Sequence, residues 1–194
     1  MNETRQALLV ATRRCIGRRG LAATTSREIT AEAHANLAAI TYHFGSKDEL
    51  VSEALLDGIR RWLAPTIEVL GAGGDPAARM LTAIQTLVAT FDEHRDEAAI
   101  YLEALVHAGQ DDSLRAGMVE LWAELRALLA ADIAGLVADG ALAAWVDPNA
   151  MAGTLMAVAN GLVLQVQVDP QGPELTDMAA QVGSLMLGAR TSNA

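Results

Sequence analysis

Apolar positions recur at three- and four-residue spacing along nearly the whole chain, the signature of amphipathic helices. From Glu3 to Arg19 the residues Leu8, Ala11, Cys15 and Ile16 share one face, and Gly20 stops the run. Thr25-Ser26-Arg27-Glu28 has the form of a capping box, which predicts a short second helix ending near Ala33. After a His34-Ala35 turn, Asn36 caps a third helix that carries Leu37, Ile40 and Phe44 inward and closes at Gly45. Ser46-Lys47-Asp48-Glu49 is a second capping box, opening a fourth helix with Val51, Leu55, Ile59 and Trp62 on one stripe. Gly71-Ala72-Gly73-Gly74 is a flexible break. Asp75-Pro76 then starts a helix to about His94, a cap followed by proline at the first helical position. Further helices are predicted over about Asp96 to His107, Asp112 to Asp139, Pro148 to Val168 and Glu174 to Leu187. Strand signals are scarce, because β-branched residues rarely alternate with polar ones. The expectation is an all-α chain of about nine helices.

Composition adjusts this picture in three places. The 194 residues suffice for one or two domains. Cys15 is the single cysteine, which rules out an internal disulfide and suits a reducing cytoplasm. Met1 to Gly20 is charged along its length, so no secretory signal is expected there. The stretch Asn149 to Val168 carries no charge and is long enough to cross a bilayer. Its five amide and hydroxyl side chains, and flanks of Asp147 and Asp169 rather than Lys or Arg, argue against spanning. A helix buried at a protein interface is the expectation, with no membrane partner.

Net charge is −10, which taken whole speaks against nucleic acid. Its distribution speaks the other way. Residues 1–47 hold seven basic and three acidic side chains, a surplus of +4, whereas 48–194 hold seven basic and 21 acidic, a deficit of −14. A basic head on an acidic body presents one end to phosphate; a solvated charged face is the alternative that charge alone leaves open.

Two short helices joined by a tight turn, behind a longer supporting helix, make a helix-turn-helix. Its second helix must be anchored inside and small outside to enter the major groove. Here Leu37, Ile40 and Phe44 are the expected anchors, and Ala38, Ala39, Thr41 and Tyr42 face outward. The wording from Gly20 to Leu50, with Tyr42-His43-Phe44-Gly45-Ser46-Lys47 and Leu50 as an aromatic-His-Phe-x-x-Lys-x-x-Leu signature, resembles the TetR (tetracycline-repressor-like) family of bacterial regulators. Thr25, Ile29 and Ala33 also stand where that family keeps similar residues. The close resemblance covers about a quarter of the chain. One departure is the turn, His34-Ala35 where the family commonly has Gly and an aliphatic; a non-glycine can take the left-handed conformation at modest cost.

The resemblance implies a DNA-binding domain over residues 1–47 and an effector-binding and dimerisation domain over 48–194. It implies phosphate contacts from Thr25, Ser26, Tyr42, His43 and Lys47, and base-edge contacts from Arg27, Leu37, Ala38, Thr41 and Tyr42. Tyr42 and His43 can also be read as a surface aromatic pair packed on the fourth helix. Small outward side chains suggest readout by methyl contact, by Arg27 and by DNA shape. In the body, Gly153, Ala157 and Gly161 fall at i, i+4, i+8, a spacing that lets two helices approach closely, either within the chain or across a homodimer axis. Helices four to eight are expected to enclose a small-molecule effector, with Trp62, Phe91, Tyr101, Glu103, His107, Met118, Trp122 and Met156 as candidate lining. Residues of these types at helical spacing equally make plain core, and Glu103 with His107 a surface pair.

An enzyme is the first rival. No Glu has a His three residues later, and no His-Glu-x-x-His, Gly-x-Ser-x-Gly or phosphate-binding loop is present, so no catalysis, cofactor or metal is expected. The second rival is a ligand-binding or protein-docking module of the same fold that does not bind DNA. The sequence therefore points to a cytoplasmic, ligand-responsive regulator, a repressor by the family's commoner habit. Its expected partners are double-stranded palindromic operator DNA, a small effector and a second copy of itself.

Overall fold

The computed structural model describes residues 3–188. Nine helices are present among them, and no strand: α1 (Glu3–Arg19), α2 (Ser26–Glu32), α3 (Leu37–Phe44), α4 (Lys47–Gly71), α5 (Pro76–Glu93), α6 (Arg95–His107), α7 (Asp112–Ala138), α8 (Pro148–Val168) and α9 (Leu175–Gly188). The all-α expectation holds, and the starts of α2, α3, α4, α5 and α8 carry the capping chemistry read from the sequence. The Thr25 hydroxyl accepts from the Glu28 amide, and the Glu28 carboxylate reaches back to the Thr25 N–H at 3.0 Å, so both halves of the first capping box form. Asn36 caps α3 through the Ala39 amide at 2.9 Å, and Asp147 caps α8 through the Ala150 amide at 2.7 Å. Ser46 accepts from the Glu49 amide at 3.1 Å.

The helices fall into two compact units. The first comprises Met1–Trp62 with His94–Leu121, the second Leu63–Glu93 with Trp122–Ala194. In the first, α1, α2, α3 and the opening turns of α4 share one apolar core: Leu8, Leu9, Ala11, Cys15, Ile29, Ile40, Phe44, Leu50 and Ala54. The predicted faces of α1 and α4 are the buried ones, Val51, Leu55, Ile59 and Trp62 included. Ion pairs Arg5–Glu53 and Arg13–Asp57 bind α1 to α4, and α6 packs on α1, with Ile100 against Gly17. Ser52, buried on α4, donates to the Asp111 carboxylate at 2.7 Å, fixing the α6–α7 turn. In the second unit Met80, Ala130, Ile133, Leu136, Leu142, Val146 and Ala152 form the core. Beside it the buried Asp132 of α7 receives the Arg79 guanidinium of α5. There α9 packs on both α5 and α8.

Candidate nucleic-acid interface and effector residues

Two short helices and one turn build the candidate DNA-reading surface. A helix of eight residues is marginal alone, so packing must hold α3 in place. Ile40 and Phe44, one turn apart, supply that anchor at 4% and 8% exposure, and the Arg5 guanidinium covers the Phe44 ring at 5.0 Å. Leu37 was expected to anchor as well, and here the structure corrects the sequence: it is 51% exposed. As the first residue of α3 it precedes the turn that packs inward and joins the outer face instead. Ala39, expected outside, is partly buried against the core. Gly45 ends α3 with φ of 83°, a conformation that favours glycine, and His34 takes the left-handed φ of 51° that the absence of glycine in the α2–α3 turn demanded.

The outer surface that results carries Leu37, Ala38, Thr41 and Tyr42 of α3, all exposed, with Tyr42 at 82%. His43 is half-buried, its ring edge-on to Tyr42 at 4.8 Å between centroids. At the start of α2, Thr25 and Arg27 are exposed and Ser26 partly so. Charge pairing sorts the basic residues of the head sharply. Arg5 and Arg13 pair with α4, Arg14 and Arg18 with Glu32, and Arg19 with Glu28. The carboxyls of Glu28 and Glu32 lie below their ordinary range, Glu28 chiefly through its bonds from Thr25 with Arg19 adding less, and Glu32 chiefly through Arg18. Arg27 alone among the head's arginines has no ion pair among the described residues. Because Glu53 and Asp57 of α4 close two of these pairs, the charge boundary drawn at residue 47 cuts through them, and counting both carboxylates lowers the head's surplus from +4 to +2. Lys47, half-buried, donates from Nζ to the Thr24 carbonyl oxygen. Thr24 escaped the sequence reading: its hydroxyl, fully buried, donates to the Gly20 carbonyl at 2.9 Å, and a buried Thr in a loop has no periodicity to announce it.

The effector candidates divide between the two units. In the first, the rings of Trp62 and Tyr101 lie 5.5 Å apart and are buried, as is Met118. The Trp62 indole N–H, also buried, has no hydrogen-bond partner among the described residues. Glu103 lies against the α1–α2 turn, its Oε1 3.2 Å from where a Cβ on Gly20 would stand. His107 Nε2 stands 4.0 Å from the Asp111 carboxylate. In the second unit Phe91 and Met156 are buried and Trp122 is half-buried. On α8, Gly153 and Gly161 are half-buried, Ala157 is exposed, and a Cβ added at either glycine meets nothing within 4 Å. Close packing inside the chain therefore does not account for the small residues.

Comparison with known proteins follows this geometry. The family of bacterial regulatory proteins called tetR matches residues 8–54, and the C-terminal region of BetI-type transcriptional repressors matches 76–186. The chain belongs to the TetR family. No curated protein matches it. Among solved structures, a TetR transcription regulator from Haloarcula marismortui superposes with a TM-score of 0.83 at 20% identity, covering 96% of this chain and 97% of that one. A Saccharomonospora viridis protein assigned as a transcriptional regulator, solved in complex with choline, gives 0.82 at 23%, covering 95% and 96%. The multidrug binding protein EbrR, complexed with imidazole, gives 0.70 at 25%, covering 96% and 91%. In this TetR-family protein the N-terminal match spans α2, α3 and the Lys47 signature.

Proposed function

We propose that this TetR-family regulator is a cytoplasmic homodimeric repressor that holds palindromic operator DNA and is released by a small-molecule effector. The observation that carries the DNA reading is the contrast on the head: an exposed α3 face of Leu37, Ala38, Thr41 and Tyr42 beside Arg27, the one head arginine without an ion pair among the described residues. Thr41 and Ala38 offer methyl groups to thymine, Arg27 a bidentate fork to guanine, and Thr25, Ser26, Tyr42 and His43 donors to phosphate. An 82% exposed tyrosine has little packing role in the free chain, which favours contact with a partner.

Support for the dimer comes from α8. It is long and apolar enough to cross a membrane, yet only 17% of that stretch is buried in the chain. The stripe of Gly153, Ala157 and Gly161 continues into Leu164 and Val168, exposed at 51% and 76%, and Leu185 of the adjoining α9 is exposed at 68%. A two-fold axis would place this face against its own copy and bury it. Effector release is supported by the unpaired indole N–H of Trp62, a buried donor that an acceptor on a small molecule would satisfy, and by the choline and imidazole found in two proteins of this fold. An electrophoretic shift with a fragment of the upstream region of its own gene tests the reading. Retardation by the wild type and its loss in Tyr42→Ala and Arg27→Ala support it. A folded dimer that shifts no fragment points to the docking module instead.

A further inference from the structure

We propose that Lys47 serves operator binding as a positioning residue, a strap from the first turn of α4 to the turn that launches α2, rather than as a phosphate ligand. The inference rests on the DNA-binding reading above. Lys47 opens α4, where the helix dipole disfavours a cation, and an uncompensated ammonium there would be a liability. Its Nζ instead donates to the carbonyl oxygen of Thr24 and is half-buried in doing so. Thr24 is itself fixed: its amide bonds the Leu21 carbonyl at 3.1 Å and its buried hydroxyl the Gly20 carbonyl. The next residue, Thr25, is the N-cap of α2 through a complete capping box. One charge-assisted bond thus connects α4, whose Leu50 and Ala54 belong to the head core, to the residue before the α2 cap. Through that cap it sets where Thr25, Ser26 and Arg27 stand. Displacement of the first turn of α4 pulls on the same carbonyl.

Lys47 is the only lysine in the chain, which makes the test direct. The salt dependence of binding to a mixed-sequence duplex is measured for the wild type, Lys47→Met and Lys47→Arg, with amide hydrogen exchange followed at the start of α2. Lys47→Met is expected to bind about tenfold more weakly, the scale of one charge-assisted hydrogen bond, with an unchanged slope of log K against log salt. Exchange at the Glu28 amide accelerates in this variant. Lys47→Arg, able to donate to the same carbonyl, restores affinity to within about threefold. In the free wild type labelled with ¹⁵N-lysine, the single ammonium signal is expected to be protected from exchange with water. A slope reduced by about 0.9 in Lys47→Met marks a lost phosphate contact and overturns the proposal. An unprotected ammonium in the free protein overturns it too, whether or not the variant folds. A wild type that binds no duplex, with its ammonium protected, leaves the strap in place and removes the DNA reading on which its role depends, which overturns the proposal by a separate route.

Discussion

Ser52→Ala isolates one buried hydrogen bond, and the structure sets its size. The Ser52 hydroxyl, 2% exposed, gives its proton to the Asp111 carboxylate at 2.7 Å. Bonds to a charged group contribute about 1.5–3 kcal/mol. The Asp111 side chain keeps 19% of its exposure and can recruit water when the hydroxyl goes, which argues for the lower half, about 2 kcal/mol. For a chain of this size that lowers Tm by about 4–8 °C. Burial works against the Asp111 charge, but bonds from the Leu114 amide and Ser52, the nearby His107 and the Ser113 amide outweigh it, leaving the carboxyl below its ordinary 3.8. A depressed carboxyl stabilises the fold above its unfolded value and loses that contribution as pH falls through the folded one. The gap between wild type and Ser52→Ala is therefore full at pH 7 and begins to close only as pH falls below the ordinary 3.8, through the depressed folded value at which the carboxyl takes up its proton. Urea unfolding at fixed protein concentration, stepped from pH 7 to pH 3, measures it. A difference under about 0.5 kcal/mol at pH 7, or one independent of pH, would refute the reasoning.

Other substitutions probe the head and the dimer face. Thr25→Ala removes the side-chain half of the α2 capping box and the hydroxyl's bond to the Glu28 carboxylate, leaving the backbone N–H half in place; a loss of about 1 kcal/mol is expected in thermal unfolding, and the Glu28 carboxyl, followed by NMR titration, rises toward its ordinary value. Tyr42→Ala leaves stability within about 0.5 kcal/mol, since the side chain is 82% exposed, while binding to operator DNA in a fluorescence titration weakens. Gly161→Glu places a charge on the stripe of α8 where a single chain has open space, so a folded monomer is expected by sedimentation; an intact dimer of this variant would move the interface elsewhere.

Helix existence was legible because its signals are local. Capping boxes, Asp-Pro starts and glycine stops act within four residues, and each boundary they set lies within a residue or two of the structure. The inward faces of α1 and α4 were equally legible from spacing, whereas Leu37 was misplaced: periodicity fixes a face only where turns continue on both sides, and α3 begins at that residue. Charge partners were not legible at all. Arg5–Glu53 and Arg13–Asp57 join residues more than forty positions apart, so the surplus counted over residues 1–47 overstated what the head presents. The bond from Lys47 to Thr24 likewise depends on tertiary placement. The exposure of α8 follows from what does not cover it, and no sequence pattern states that.

Selection of bound sequences from a library of random duplex DNA by the purified protein at physiological salt tests the central claim most directly. The account predicts recovery of a palindrome whose half-sites repeat at about one helical turn, ~34–36 Å, as two α3 helices related by a two-fold axis require. A folded dimer that enriches no sequence would contradict it.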